Sequence, residues 1–490
     1  MTIRFAVPHR RTLCTLALLG LGAPHLSWAQ PASQPYALHN GYPTRATINQ
    51  VYDDIDLNRA VQAYRFFYPN VAMMNLWQAN IADGMRPNKV FALLQGSPEK
   101  RVLTANSDTP YAGALIDLSA GPMVVEVPPG PIMSVANDLN QSWVMDLGVP
   151  GPDAGKGGKH LMLPPGYDGP IPAGYFVGHS TTHKLMLLLR ALPLKGDTAG
   201  AIERMKTVAI HPLKPPAGWT PPKWVDLSAH AADLTPLKIE DNLGYWRTLH
   251  ALLDSEPANP AYRNYYGELA ALGIIKGQPF APDARMQRIL TQAAQTGAVQ
   301  MRVQSLADRR PDRVVWPDRQ WEWAVLRPEN GTFSTPDYTD LVAREKWFYQ
   351  AMIASPAMFR RAPGAGSLYW LGSRDAQGEY LDGGKSYTLS VPLPLPAKLF
   401  WSVTVYDSQT RSQIETPQAK AALRSLEELK DQGQSGTAEL YFGPTAPPSK
   451  DSHWIQTTPG RGWFAYLRIY GPDKPAFDGA WKPGDFSPVN

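Results

Sequence analysis

Across residues 56–80 the apolar positions Ala60, Tyr64, Phe67, Val71 and Met74 recur at threes and fours, the period of one helix face. Pro69 falls inside this stretch and should kink or divide the helix, since proline lacks a backbone donor and crowds the preceding turn. Residues 83–95 fit a second short helix or a turn. From 103 to 192 the pattern changes to short apolar runs at 132–139, 143–147, 159–163, 175–178 and 184–191, parted by turn clusters such as Pro164-Pro165-Gly166. Such runs between proline and glycine punctuation predict an antiparallel sandwich or barrel. Helical spacing returns at 198–208, 242–253, 261–272, 281–302 and, most clearly amphipathic, 338–358. A tryptophan cluster of Trp316, Trp321 and Trp323 is expected to pack between domains. After a Gly/Pro break at 363–366, strands are predicted at 367–371, 387–391, 399–407, 438–442 and 462–470, with a short helix near 418–429.

A chain of 490 residues is too long for one core, so two or more domains are expected. Charged residues make up only 18%, below the ~25% of an average domain, and proline runs at about twice ordinary usage. That composition suits ordered loops over β structure and argues against a helical bundle. The N-terminus reads as a signal peptide over residues 1–29: Arg4, His9, Arg10 and Arg11 form a basic region, 13–21 an apolar one, and Ser27-Trp28-Ala29 a cleavage site. The apolar part is too short to stay in a membrane, and no later segment is apolar enough to span one. Arg10-Arg11 raises the twin-arginine export route, but its flanks fit ordinary secretion better. The chain's one cysteine, Cys14, lies within this segment, so the mature protein should hold no disulfide and perform no thiol chemistry. Losing Arg4, Arg10 and Arg11 leaves 44 basic against 43 acidic side chains. A near-neutral protein gives no reason to expect nucleic acid or an anionic membrane as partner. The expected location is the periplasm or the secreted fraction.

The stretch with most chemical content is the polar turn Asn106-Ser107-Asp108-Thr109-Pro110-Tyr111, which leads into strands. A catalytic reading makes Asp108 and Tyr111 an acid/base pair beside Asn106. The plainer reading is an Asx-turn with Asp108 accepting backbone N–H groups and Tyr111 packed. Arg190 ends the apolar run 185–189 and either pairs with a buried aspartate or binds a substrate carboxylate. Arg468, within Tyr466-Leu467-Arg468-Ile469-Tyr470, invites the same two readings. Trp401, Tyr406 and Trp454, with Trp463 and Trp481, form either a substrate-stacking platform or sandwich core. His179 and His183 share a face by spacing and would ligate a metal if a third ligand joined them. Otherwise they are loop histidines bonded to Ser180 and Thr181. The glycine-rich 151–158 departs from the Walker spacing and reads as a loop able to act as a lid. No G-x-S-x-G elbow or HExxH run occurs.

Several spaced motifs carry a resemblance: the Asn106-x-Asp108-Thr109-x-Tyr111 turn, FWSVTVYD at 400–407, His453-Trp454-Ile455, Arg468-Ile469-Tyr470 and Asp478-Gly479-Ala480-Trp481. Together with GIIKGQPF at 273–280 they resemble an exported bacterial tandem family, domain of unknown function 1254 followed by domain of unknown function 1214. The resemblance implies two β-sandwich, jelly-roll-like domains with helices between, and no settled activity. One departure stands out. Where the family usually shows Ser-Pro-Thr before an arginine-bearing strand, this chain has HSTTH at 179–183, followed by Arg190.

The expected fold is therefore mainly β (α+β): two β-sandwich domains joined by a helical segment. The expected boundaries are signal peptide 1–29, flexible lead-in 30–50, N-terminal sandwich 51–194, helical connection 195–362 and C-terminal sandwich 363–490. Two functions stand side by side. One is a cofactor-free hydrolase or lyase acting on a small molecule or glycan through Asn106, Asp108 and Tyr111, with Arg190 on an anionic group. The other is a non-catalytic ligand- or glycan-binding envelope module. No cofactor is identified and none is expected, a divalent metal being the open alternative. A homo-oligomer is compatible with the sequence.

Overall fold

The computed structural model describes residues 36–489 except 365 and 434, so the signal-peptide reading lies outside the described residues. Residues 36–54 form a small unit of their own and 55–489 a second, much larger one. In the small unit, β1 (Leu38–His39) pairs antiparallel with β2 (Tyr42–Pro43). Asn40 and Gly41 take φ of 52° and 84° in the intervening turn, the left-handed pair that a two-residue hairpin demands. The stretch read as a lead-in thus contains this hairpin and the start of a helix.

Helix α1 runs unbroken from Arg45 to Ala82 with Pro69 inside it, so the proline does not divide the helix. Around Pro69 every residue from Phe66 to Met74 is buried, and packing on all sides outweighs the lost backbone bond. Strands β3 (Val90–Leu93), β4 (Lys100–Arg101), β5 (Tyr111–Asp117), β6 (Met123–Val127), β7 (Ile132–Asp138), β8 (Trp143–Gly148), β9 (Gly158–Leu163), β10 (Tyr175–His179) and β11 (Lys184–Ala191) follow. Then come α2 (Thr198–Met205), β12 (Ala209–Pro212), β13 (Lys223–Asp226) and β14 (Ala232–Asp233). Apart from β4 and β14, which pair only with each other, these strands build a sandwich from a six-stranded sheet, ordered β13-β3-β5-β11-β7-β8, and a four-stranded sheet, ordered β10-β9-β6-β12. Residues 83–95, read as a helix or turn, hold a turn and the strand β3.

The connecting segment holds α3 (Leu243–Ser255), α4 (Arg263–Ala271), α5 (Ala284–Leu306), β15 (Glu322–Trp323), α6 (Leu341–Gln350) and the short α7 (Pro356–Phe359). Side chains of Asn242, Asp283 and Asp340 cap α3, α5 and α6 by accepting first-turn N–H groups. Gly297 lets α5 press on α1: a Cβ there would stand 2.3 Å from the Tyr64 ring. The helix expected over 338–358 stops at Gln350, because the Trp347 indole donates to the Ile353 carbonyl (2.9 Å) and residue 353 is left-handed at φ 70°.

The second sandwich comprises β16 (Ser367–Gly372), β17 (Ser386–Leu393), β18 (Ala397–Asp407), β19 (Ala422–Arg424), β20 (Gly436–Gly443), β21 (Trp454–Gln456), β22 (Trp463–Pro472) and β23 (Ser487–Val489). Its sheets are ordered β15-β16-β22-β18-β19 and β21-β20-β17-β23. The helix expected near 418–429 is instead β19 and turns; β19 pairs with the exposed edge of β18, and that pairing overrides local helical preference. The fold is mainly β with an α layer, and both sandwiches lie in the larger unit.

Candidate functional site

The two-residue period of strands sorts their side chains into two sets. On β11, Leu185, Leu187 and Leu189 enter the N-terminal sandwich core, so Met186, Leu188 and Arg190 stand on the opposite face. On β22, Trp463, Ala465, Leu467 and Ile469 fill the C-terminal core, while Tyr466, Arg468 and Tyr470 take the other face. Between these two outer faces lies a cavity of about 220 Å³. Arg190, Tyr111 and Asn106 line it from one sandwich and Arg468, Tyr369 and Tyr466 from the other. Its remaining wall is mostly apolar: Leu76 of α1, Met133, Val135, Met186, Leu188 and Met352.

The polar turn is a plug that docks the first sandwich on the second. Thr104 N–H donates to the Arg411 carbonyl at 2.7 Å, Tyr406 Oη to the Ala105 carbonyl at 2.8 Å, and Arg424 Nη1 to the Ser107 carbonyl at 2.8 Å. Asp108 is 6% exposed. Its Oδ2 accepts from Ser402 Oγ at 2.9 Å and Tyr470 Oη at 2.7 Å, both on the facing sheet, and its Oδ1 has no partner. Burial first, and then the neighbouring Asp108 charge, hold the Tyr470 hydroxyl well above the ordinary phenol range, so it stays a donor. Asp108 is therefore neither bonded to adjacent amides nor part of the cavity wall. Asn106 completes the local turn: its Oδ1 accepts the Asp108 N–H at 3.1 Å and its Nδ2 donates to Tyr111 Oη at 2.8 Å. Tyr111, half-buried, does face the cavity.

The arginines are unusual for groups so enclosed. Arg468 is 2% exposed, donates from Nη2 to the Thr104 carbonyl at 2.9 Å, and leaves Nε and Nη1 unpartnered. Its guanidinium carbon lies 5.0 Å from the Tyr466 ring centre and 5.5 Å from those of Tyr369 and Tyr406. Arg190 stands 5.4 Å over the Tyr470 ring. Among the described residues neither guanidinium forms an ion pair, whereas the cavity's other cation, Lys100, is paired with Asp83 at 2.8 Å. Asp146 on β8 completes the wall; burial raises its carboxyl to about 6, against the opposing bonds from Ser355 and the Ala357 N–H.

Other candidates fall elsewhere. Trp401, 7% exposed, lies in the C-terminal core, as do Trp463 and Trp481. Tyr406 is wholly buried with its hydroxyl spent on the plug. Trp454 donates to the Gly443 carbonyl at 3.0 Å, away from the cavity. The rings therefore form no shared platform: the strand period turns Trp401, Trp463 and Trp481 into the core and Tyr406 against the domain seam, while Trp454 stays half-buried. His179 is exposed at the end of β10, while the His183 N–H donates to Glu256 Oε2 at 2.5 Å; among the described residues no group of three metal-ligating side chains forms, around them or elsewhere. The 151–158 loop is pinned rather than lid-like: the Asp153 carboxylate accepts from the Gly148 N–H (2.8 Å) and bonds His160 Nε2 (3.1 Å). Tyr369, Tyr466 and the apolar wall escaped sequence reading. The alternation Tyr466-x-Arg468-x-Tyr470 was the available signal.

Two β-sandwiches with an apolar-walled cavity between their facing sheets define the class: a double β-sandwich protein. Two family models match, Protein of unknown function (DUF1254) over residues 87–212 and Protein of unknown function (DUF1214) over 366–474. The two matches stand in tandem, DUF1254 before DUF1214. Among solved structures, the VPA0106 protein from Vibrio parahaemolyticus shares the fold: TM-score 0.54, 17% identity, covering 89% of this chain and 100% of that one. A putative uncharacterized protein from Burkholderia cenocepacia aligns at TM-score 0.38 and 11% identity, over 90% of this chain and 97% of the other. No curated protein matches.

Proposed function

We propose that this is an exported, periplasmic or secreted protein that takes a small carboxylate with an apolar body into the cavity between its sandwiches. The observation that carries this reading is the pair of guanidiniums, Arg468 buried and Arg190 half-buried, that line a mostly apolar cavity and, among the described residues, have no ion-pair partner. Burying a cation costs stability unless it is paired, and a planar carboxylate supplies what a guanidinium fork lacks. A volume of about 220 Å³ sits below the ~300–1,000 Å³ of drug-sized sites, which restricts the guest to a small molecule.

Calorimetric titration with straight-chain and aromatic monocarboxylates, and with the matching alcohols, tests the reading. The carboxylates should bind and the alcohols should not. Arg190→Gln should weaken binding by about ten-fold or more, the worth of a hydrogen bond to a charged group. If no carboxylate binds, or alcohols bind equally well, the reading fails.

A second reading makes the protein a cofactor-free hydrolase or lyase acting on the same guest. It is favoured by Tyr111, whose phenol lines the cavity and is fixed by Asn106 at 2.8 Å. It would serve as proton donor to a bound anion. Tyr111→Phe would then abolish turnover while Arg190 still holds the guest, with affinity reduced by no more than about ten-fold.

A further inference from the structure

The two sandwiches repeat one another strand for strand. Reading β3 and β5–β12 against β15–β23 in chain order, the sheet β3-β5-β11-β7-β8 corresponds to β15-β16-β22-β18-β19, and β10-β9-β6-β12 to β21-β20-β17-β23. Directions agree as well: β9/β10 and β20/β21 are parallel, and the other corresponding pairs are antiparallel. Arg190 on β11 and Arg468 on β22 therefore occupy equivalent strands. Each lies directly across from a tyrosine on the equivalent neighbour, Arg190 from Tyr111 on β5 and Arg468 from Tyr369 on β16. The cavity thus has an internal two-fold plan with one Arg–Tyr pair from each half.

The plan is broken at one place. The residue across from Arg190 on β7 is Met133, whereas the residue across from Arg468 on the equivalent β18 is Ser402. Ser402 and Tyr470 donate to Asp108 at 2.9 and 2.7 Å, so a buried carboxylate is anchored on the strands of Arg468; Arg190 meets the ring of that Tyr470, 5.4 Å from its guanidinium carbon, and has an apolar thioether across from it. The position equivalent to Asp108, three residues before Tyr369, is Gly366, which brings no carboxylate to the first pair.

We infer that Asp108 sets the charge of the guest at one: it offsets Arg468 from behind the wall, leaving Arg190 and Tyr111 as the single free anion site, so monocarboxylates are selected over dicarboxylates. This rests on the carboxylate reading above and deepens it. Asp108 is a specificity-determining residue that does not touch the guest. Without its charge, both equivalent pairs would be free, and a guest with two acidic groups would match them.

The experiment compares mono- and dicarboxylates of equal chain length by calorimetry on the full protein and on Asp108→Asn and Asp108→Ser, with melting curves to verify folding. The natural protein should favour the monocarboxylate at least ten-fold, and both variants should cut that ratio ten-fold or invert it. Equal affinity of the natural protein for the two guests would overturn the inference even if neither variant folds. So would an unchanged ratio in a folded variant. If no carboxylate of either kind binds, the cavity reading itself falls and this inference with it.

Discussion

Asp146 offers a sharp test of how dry the cavity wall is. The carboxyl is 5% exposed, and burial raises it from 3.8 to about 6. The folded state then keeps a proton that the unfolded chain releases, across the interval from about 4 to about 6. Stability carried by this group is full below that interval, falls as pH rises through it, and is level above it. A rise of about 2 units is worth about 3 kcal/mol at 1.36 kcal/mol per unit. Asp146→Asn cannot ionise and so loses nothing. Relative to the natural protein, the variant should gain about 3 kcal/mol between about pH 3 and about pH 8. Urea unfolding of both proteins along that range measures it, and the difference cancels carboxylates held low by partners, such as Asp340 and Asp407. A difference that stays constant with pH would refute the argument, and would mean that Asp146 is solvated or fully paired.

Two further outcomes follow from the packing. Arg411 is wholly buried, bonds both Glu240 oxygens at 2.7 and 2.8 Å and ties the second sandwich to the α layer; Arg411→Met should cost about 3–5 kcal/mol by stranding the glutamate. Adding Glu240→Gln should recover most of it, and urea midpoints of the single and double variants check both. Trp401→Ala should cost about 3–5 kcal/mol as a core truncation, with carboxylate affinity unchanged by calorimetry. A lost affinity there would restore the stacking platform.

The mainly β, two-sandwich fold was legible in the sequence because strand runs and turn clusters are local signals. The helices at 242–253, 261–272 and 281–302 were equally plain from their apolar spacing. Pro69 misled because the cost of an interior proline is local while the burial that outweighs it comes from distant elements. The same limit applied to residues 418–429, whose pairing partner lies on β18.

The site divided along the same line. Residue chemistry alone picked out Asp108, Tyr111, Asn106, Arg190 and Arg468 as unusual, since polar groups in such apolar settings need a reason. Whether Asp108 faces a guest or a neighbouring sheet depends on Ser402 and Tyr470, 294 and 362 residues away in sequence. Sequence periodicity says that strand side chains alternate; only the tertiary structure says which face meets solvent, core or cavity. That choice turned Trp401 inward and Arg468 toward the cavity. It also revealed that two halves with little visible repeat share one strand order, because topology is fixed by backbone pairing and survives changes in the side chains.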